Sequence, residues 1–489
     1  MNTAPDTAAS AGLPQRSARF VVAVLCFGGL CAALMQTLVI PIQGELPRLL
    51  HTSVSNASWV VTATLLGGAV AMPVAGRLAD IVGKPRVLVA SAAILIVGSV
   101  VCALADTLAP MLVGRTLQGI AMGYIPVAIS LVREVTPPRM AATAIAALSA
   151  TLGVGGAIGL PLSAWVVQTS DWHLLFWLSA GLSVLVLLAS MLFVPSVRDA
   201  HPARFDVVGA VGLAVGLVTA LVGLSKASSW GWGAASTWGC IGGGLLVLAL
   251  WARHQSRRAE PLVDLRATVR RPVLLTNVAA VLIGVGMMAQ SIVIPQLLEM
   301  PEATGYGLGQ SLLQTGLWMA PGGLMMMLMA PVSSRLITTL GAKVALAIGG
   351  GVLGVGYLVA LFLMGSPWEL LVATVVCSAG VGIGYAAMPT LILQNVPRHE
   401  SGSAVGVNTL ARSVGTTLAG ALMATLLTSR TTVLAPGAPA IPTEGAFRLC
   451  FLFGALAAFV GAAVALTTSR GGRQAPAEAE RELATSGAR

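Results

Sequence analysis

Gly76-Arg77-Leu78-Ala79-Asp80-Ile81-Val82-Gly83-Lys84-Pro85-Arg86 is a short charged turn between two apolar runs, each long enough to cross a bilayer. Its glycines let two helix ends approach closely, Asp80 can accept from backbone amides at a helix start, and its cations hold the turn in the aqueous interface. A solvated loop that only joins two helices would have the same composition. What separates the two readings is a second copy: Pro73, Arg77, Gly83 and Lys84 recur as Pro331, Arg335, Gly341 and Lys343, with only the lysine displaced by one residue. Gln36, Pro41 and Glu45 likewise recur at identical intervals as Gln290, Pro295 and Glu299. Two halves related in this way are the mark of an internally repeated transporter, with a substrate path between the halves near mid-depth.

The rest of the composition places the chain in lipid. Of 489 residues, 56% are hydrophobic and 9% charged, and the mean hydropathy is +0.87. Fourteen runs reach the roughly 20 residues that a spanning helix needs: 20–41, 57–78, 86–105, 109–131, 143–166, 172–194, 206–224, 236–252, 273–295, 311–331, 344–364, 369–391, 403–427 and 447–467. The fold class expected is all-α integral membrane. A six-helix bundle over 20–195 and another over 273–467 flank an inserted helix pair over 196–272. With the N-terminus inside, Arg48, Lys226, Arg430 and Arg448 fall outside and Arg115 and Arg412 fall within helices, and every other Lys and Arg lies in a cytoplasmic segment. Both termini are then cytoplasmic, and the net charge of +10 is met by anionic lipid without invoking nucleic acid.

Residues 1–19 and 468–489 read as polar cytoplasmic tails, the first of them mobile, and the first apolar run reads as a retained helix, not a cleaved leader. The connector at 253–272 interleaves six arginines with Glu260-Pro261-Leu262-Val263-Asp264-Leu265, and its expected role is anchoring on the membrane surface. Trp230, Trp232 and Trp238 are expected in the aromatic belt. The six cysteines, Cys26, Cys31, Cys102, Cys240, Cys377 and Cys450, show no metal spacing and read as packing residues.

The charged turn resembles, nearly residue for residue, the Gly-x-Leu-x-Asp-x-x-Gly-Lys/Arg signature of the major facilitator superfamily. The resemblance implies that Gly76, Arg77, Asp80, Gly83, Lys84 and Arg86 form a gating motif whose charges latch the halves when the path faces outward. Ile81 and Pro85 stand where the family often has cations. Arg115-Thr116-Leu117-Gln118-Gly119 resembles the Arg-x-x-Gln-Gly motif of its proton-driven antiporters, which implies a part for Arg115 in proton transfer. A cation at mid-helix costs roughly 2.5 to 3.5 kcal/mol on insertion scales, so Arg115 is also explained as a structural group bonded to carbonyls. Gly155, Gly159 and Pro161 resemble the antiporter motif of the fifth helix, with Leu160 and Ser163-Ala164 departing from it. Fourteen helices and these motifs are similar to the drug:proton antiporter branch of bacterial multidrug and antibiotic exporters.

One departure bears on mechanism. Where that branch carries an acid in its first helix, this chain has Met35, in Leu34-Met35-Gln36-Thr37. Glu45, Glu299 and Asp80 are the acids at hand, and Glu45, one or two turns above Arg115, is expected to replace the missing one. Gln36, Gln118, Gln290 and Arg412 are candidates for the cavity wall; the competing explanation is polar helix–helix contact for Gln36 and Gln290, and a salt bridge to a loop acid or bonds to carbonyls for Arg412. Met287, Met288, Met319, Met325, Met326 and Met327 are either soft cavity surface or plain core or lipid-facing residues.

These readings converge on a secondary exporter of amphipathic small molecules, drugs or antibiotics. It would work by proton antiport and alternating access in a bacterial cytoplasmic membrane, with no cofactor or metal, and a monomer is compatible with the arrangement. An exporter of an anionic metabolite or lipid-like molecule, bound by Arg115 and Arg412, is the alternative. A receptor or structural role leaves the mirrored motifs without a reason. An enzyme would need a nucleophile, cofactor or phosphate-loop motif, and none is present in the sequence.

Overall fold

The computed structural model describes residues 15–39, 42, 43, 45–195, 204–433 and 440–468. Within them, fourteen helices are long and apolar enough to cross a membrane. They are α1 (Gln15–Thr37), α2 (Trp59–Val82), α3 (Lys84–Ala103), α4 (Leu108–Val135), α5 (Pro138–Thr169), α6 (His173–Phe193), α7 (Val207–Trp230), α8 (Ala235–Gln255), α9 (Arg271–Glu299), α10 (Leu312–Thr339), α11 (Ala342–Phe362), α12 (Pro367–Leu393), α13 (Ser401–Ser429) and α14 (Glu444–Thr467). Each overlaps one of the fourteen runs. α1 begins at Gln15, a turn earlier than hydropathy alone places it, so the expected tail is shorter. Pro41, most of residues 1–19 and all but the start of 468–489 lie outside the described residues.

The turns follow local backbone chemistry. Gly83 (φ 98°) and Gly341 (φ 90°) adopt a conformation that a Cβ would strain, and each separates two helices at equivalent points of the two halves. Pro85, Pro272 and Pro367 occupy first turns, where a missing N–H breaks no helical bond. α4 is interrupted at Met122-Gly123, between stretches Leu108–Ala121 and Tyr124–Val135.

α1 to α6 form one bundle, in which α1 packs on α5 and α6, α2 on α4, and α3 on α4 and α6. α9 to α14 form the other, in which α9 packs on α13 and α14, α11 on α12 and α14, and α10 on α12. α7 and α8 pack on each other, and α7 also lies against both α2 and α13. The pair is stapled at one end by Asp206, which accepts from Gly209 N (2.9 Å) and Gln255 Nε2 (2.8 Å). Desolvation pushes the Asp206 carboxyl up, but these bonds and the nearby His254 and Arg258 outweigh it and hold the group below its usual value. Its contribution is therefore present above about pH 4 and lost as pH falls below that. At the other end the Trp232 indole donates to Thr425 Oγ1 of α13 at 2.6 Å. Trp230 and Trp238 remain exposed.

The bundles meet along two seams, α2 on α13 and α5 on α10. Lipid gives little hydrophobic drive between helices, so close backbone approach has to supply the contact. A Cβ on Gly76 would lie 2.7 Å from the Gly402 carbonyl carbon, and one on Gly406 would lie 2.9 Å from Pro73 Cα. On the second seam, a Cβ on Gly153 would lie 2.6 Å from Met326 Cβ, and one on Gly323 would lie 2.9 Å from Ala157 N. Met326 thus packs in a seam, and Met327 is exposed. Gly76→Val is expected to separate α2 from α13 at the end that carries the charged turn. A Ser130→Cys/Ser401→Cys pair, whose native hydroxyls lie 3.0 Å apart, measures this: it cross-links readily in the parent chain and several-fold less when Gly76→Val is added.

Candidate functional site

The charged turn lies at the basic end of the molecule, where Asp80 is buried between the bundles at 4% exposure. It sits on the last turn of α2, and its two oxygens accept from Gly402 N (3.0 Å) and Ser403 N (2.9 Å), the first amides of α13. These amides have no partner within their own helix, and the helix dipole favours an anion there, so one carboxylate of the first bundle caps a helix of the second. Behind it, Lys84 Nζ lies 3.8 Å from Asp80 and is bonded to Glu134 at the end of α4, all three groups being buried. Ser130 and Ser401 share a hydrogen bond, and Arg133 Nη1 donates to Val396 O at 3.4 Å. Arg77 lines a neighbouring pocket with Asp80. Arg86 departs from the expected latch: it is exposed and bonds Val82 O one turn back on its own stretch of chain.

Glu134, Gly402 and Ser403 were not singled out in the sequence. Arg133-Glu134 at the end of a long apolar run was the available signal for Glu134. For Gly402 and Ser403 there was none, because backbone amides donate whatever the side chain. The second half holds the mirrored contact without the charge. Thr143 of α5 and Ser334 of α10 share a hydroxyl bond of 2.7 Å, and Thr338 stands at the interval that Asp80 occupies after Arg77.

The connector at 253–272, expected on the membrane surface, is in part docked on the helices. Leu262 and Val263 are 1% and 3% exposed, packed with Leu213 and Leu217 of α7, Val74 of α2, and Val407 and Leu410 of α13. Gln255 Oε1 accepts from Leu262 N at 2.7 Å and Ser403 Oγ donates to Leu262 O at 3.3 Å, so the segment covers the seam beside the Asp80 cap. An acidic-aliphatic segment among arginines reads as interfacial, but the loop backbone finds its partners only in the fold.

Arg115 is 2% exposed inside the first bundle. Its Nη1 donates to Gln118 Oε1 (2.7 Å) and Met35 O (3.4 Å), and its Nε to Val60 O (3.3 Å). Gln118 Nε2 donates to Ser99 Oγ (3.0 Å), Ser99 and Ser179 share a bond of 2.7 Å, and Ser179 bonds the Met35 sulfur. Arg115 therefore points to the residue where an acid was expected and takes its carbonyl. Gln118 is spent within this network, against α3, and faces no space between the bundles. Glu45 is not brought to Arg115: it is exposed, with Arg48 Nε at 3.0 Å, because the chain turns into the short helix Leu46–Leu49. Glu299 closes α9 and is exposed at its end.

In the second bundle Arg412 is 8% exposed, with its guanidinium 4.1 Å over the Tyr385 ring of α12. Among the described residues no carboxylate pairs with it. Gln290 Nε2 donates to Ser378 Oγ at 3.2 Å, and Gln36 Nε2 meets the Met122 sulfur at 3.5 Å. Gly155 and Gly159 pack on α1, with Thr37 Oγ1 donating to Gly155 O at 3.2 Å, whereas Pro161 lies by Gly316 of α10. The motif thus splits between a contact inside one bundle and the seam. All six cysteines are free thiols.

Residues 25–420 match the profile of the Major Facilitator Superfamily. The chain is 31% identical over 468 residues to an uncharacterized transporter of this type from Mycobacterium tuberculosis, covering 90% of this chain and spanning 66% of that relative's length. It is 28% identical to the tetracenomycin C resistance and export protein of Streptomyces glaucescens (82% of this chain, 74% of the relative). It is 26% identical to a probable actinorhodin transporter of Streptomyces coelicolor (86% and 74%). The fold is shared with a proton:xylose symporter, at TM-score 0.65, 13% identity and coverage of 92% of this chain and 95% of that one. It is also shared with a human organic anion transporter, at TM-score 0.64, 16% identity and coverage of 92% and 99%.

Lys84→Met leaves Asp80 and Glu134 buried without their cation and is expected to cost about 3–5 kcal/mol. Adding Glu134→Gln should return part of that loss. Unfolding of the purified chain in detergent, followed by tryptophan fluorescence, checks both.

Proposed function

This chain belongs to the major facilitator superfamily, and we propose that it is a secondary exporter of amphipathic small molecules, drugs or antibiotics, driven by proton antiport through alternating access. The observation that carries the reading is the Asp80 cap, a buried charge-assisted contact between the two bundles. Relatives named as a tetracenomycin C resistance and export protein and as a probable actinorhodin transporter support the cargo class. The basic end faces the cytoplasm, in keeping with the excess of Lys and Arg there.

With the bundles in contact at that end, the arrangement corresponds to a state closed toward the cytoplasm. Hydrogen bonds to a charged group are worth about 1.5–3 kcal/mol each. Two such bonds approach the roughly 5.5 kcal/mol that moves a two-state equilibrium from 1:99 to 99:1. Neutralising Asp80 by a proton removes the charge that the α13 N-terminus holds, loosens the clasp and favours the cytoplasm-open state. Asp80 and Glu134, joined by Lys84, are then the protonatable groups, and Arg115 is a structural cation satisfied by carbonyls and Gln118.

A second reading rests on Arg412. A buried guanidinium whose partner is an aromatic face can receive an anionic substrate. Accumulation of matched cationic, neutral and anionic fluorescent compounds in efflux-deficient bacteria, with and without a protonophore, separates the two. Protonophore-sensitive exclusion of cations, reduced about tenfold or more in Asp80→Asn and unchanged in Glu45→Gln, is the expected outcome. Exclusion confined to anions and lost in Arg412→Ala would replace it with the second reading, and no exclusion of any compound would defeat both.

A further inference from the structure

At the basic end, beside the Asp80 cap and beneath the connector, α2, α9, α13 and the 259–268 segment enclose a pocket of about 320 Å³. Its wall is apolar, with Ile81, Pro261, Val273, Val396 and Val407 among its residues. Its ionisable lining is Arg77, Asp80, Glu260, Asp264, His399 and Glu400. Asp80 is matched by Lys84 behind it, which leaves Glu260, Asp264 and Glu400, the last with His399 Nε2 at 3.5 Å, against Arg77, on a chain whose net charge is +10. The connector's own arginines, Arg266, Arg270 and Arg271, are exposed and outside the lining. A second observation is independent of charge. Asn277 of α9 is 7% exposed and lines the pocket, and its Oδ1 accepts from Asn408 Nδ2 at 3.0 Å, which leaves its Nδ2 donor without a partner. A buried donor without a partner costs about as much as a lost hydrogen bond, and an acceptor on a ligand would remove that cost.

We propose that this pocket is a capture site for an organic cation with an apolar body and a hydrogen-bond acceptor. The cationic group sits among Glu260, Asp264 and Glu400, the body lies on the aliphatic wall, and the acceptor meets Asn277 Nδ2. Because Asp80 and Ser403 belong both to the lining and to the clasp between the bundles, an occupant touches the groups that must part when this end opens. The inference rests on the exporter reading only in taking the captured compound as cargo.

The test uses the full chain in lipid nanodiscs and a benzophenone-bearing alkyl trimethylammonium as photoreactive probe, with its uncharged tert-butyl isostere as control and cross-links mapped by mass spectrometry. Labelling of residues 259–268 and 396–407, competed by tetraphenylphosphonium and weak with the isostere, is expected. Glu260→Gln/Glu400→Gln should reduce it about 3- to 10-fold. Glu260 is exposed and Glu400 half-buried, so folding is not at stake, and Asn277→Leu should reduce labelling independently. Equal labelling by the isostere, or labelling confined to helix interiors away from this end, overturns the proposal. The assay measures binding without transport, so a chain that exports cations without labelling here defeats this inference alone. Labelling here in a chain that exports nothing defeats the exporter reading alone.

Discussion

A carboxylate that two helical bundles remove from water must find donors, and Asp80 finds them across the interface. The amides of Gly402 and Ser403 have no partner in their own helix, and the α13 dipole adds attraction for a negative charge. This contact requires the α2 and α13 backbones to touch, hence Gly76 against Gly402. It requires a cation behind it, hence Lys84, and Lys84 in turn requires Glu134. The clasp, the seam and the docked connector are consequences of placing one charge there. The connector's Leu262 and Val263 cover the same seam and borrow Ser403 to satisfy the loop backbone.

The two halves share their plan but not their chemistry. Gly83 and Gly341 break their helix pairs with nearly the same backbone angles, and each half presents one helix to a helix of the other. At the second seam, however, a neutral hydroxyl pair, Thr143 and Ser334, stands near the place of the charged cap. A neutral pair is little affected by pH or by a neighbouring cation, so of the two seams the first is the one whose contact depends on charge. α7 of the inserted pair touches α2 and α13 at that same seam, which places it beside the clasp.

The two mid-helix arginines divide in the same manner. Arg115 is held by Gln118 and two carbonyls in a network that runs through Ser99 and Ser179 to Met35. Such a cation fixes helix packing and has little capacity left for a ligand. Arg412 leans on the Tyr385 face, an attraction that leaves its N–H groups free for an acceptor. Identical residue types thus have different surroundings because their neighbours differ.

The sequence by itself determined the membrane setting, the fourteen helices and the repeat, because hydropathy and glycine or proline punctuation act within one turn or one run of chain. It also marked Asp80 and Lys84 through the charged turn and its second copy, and Arg115 because a charge within an apolar run is costly. Only the tertiary structure decided what those charges meet. It gave Asp80 the amides of residues more than three hundred positions away, turned Arg86 and Glu45 to the surface, spent Gln118 on Arg115, and laid Leu262 and Val263 into the seam. These partners are backbone groups and residues from distant segments. Local pattern cannot report them, because the helix contacts that bring them together are set by small-residue packing between elements far apart in the chain.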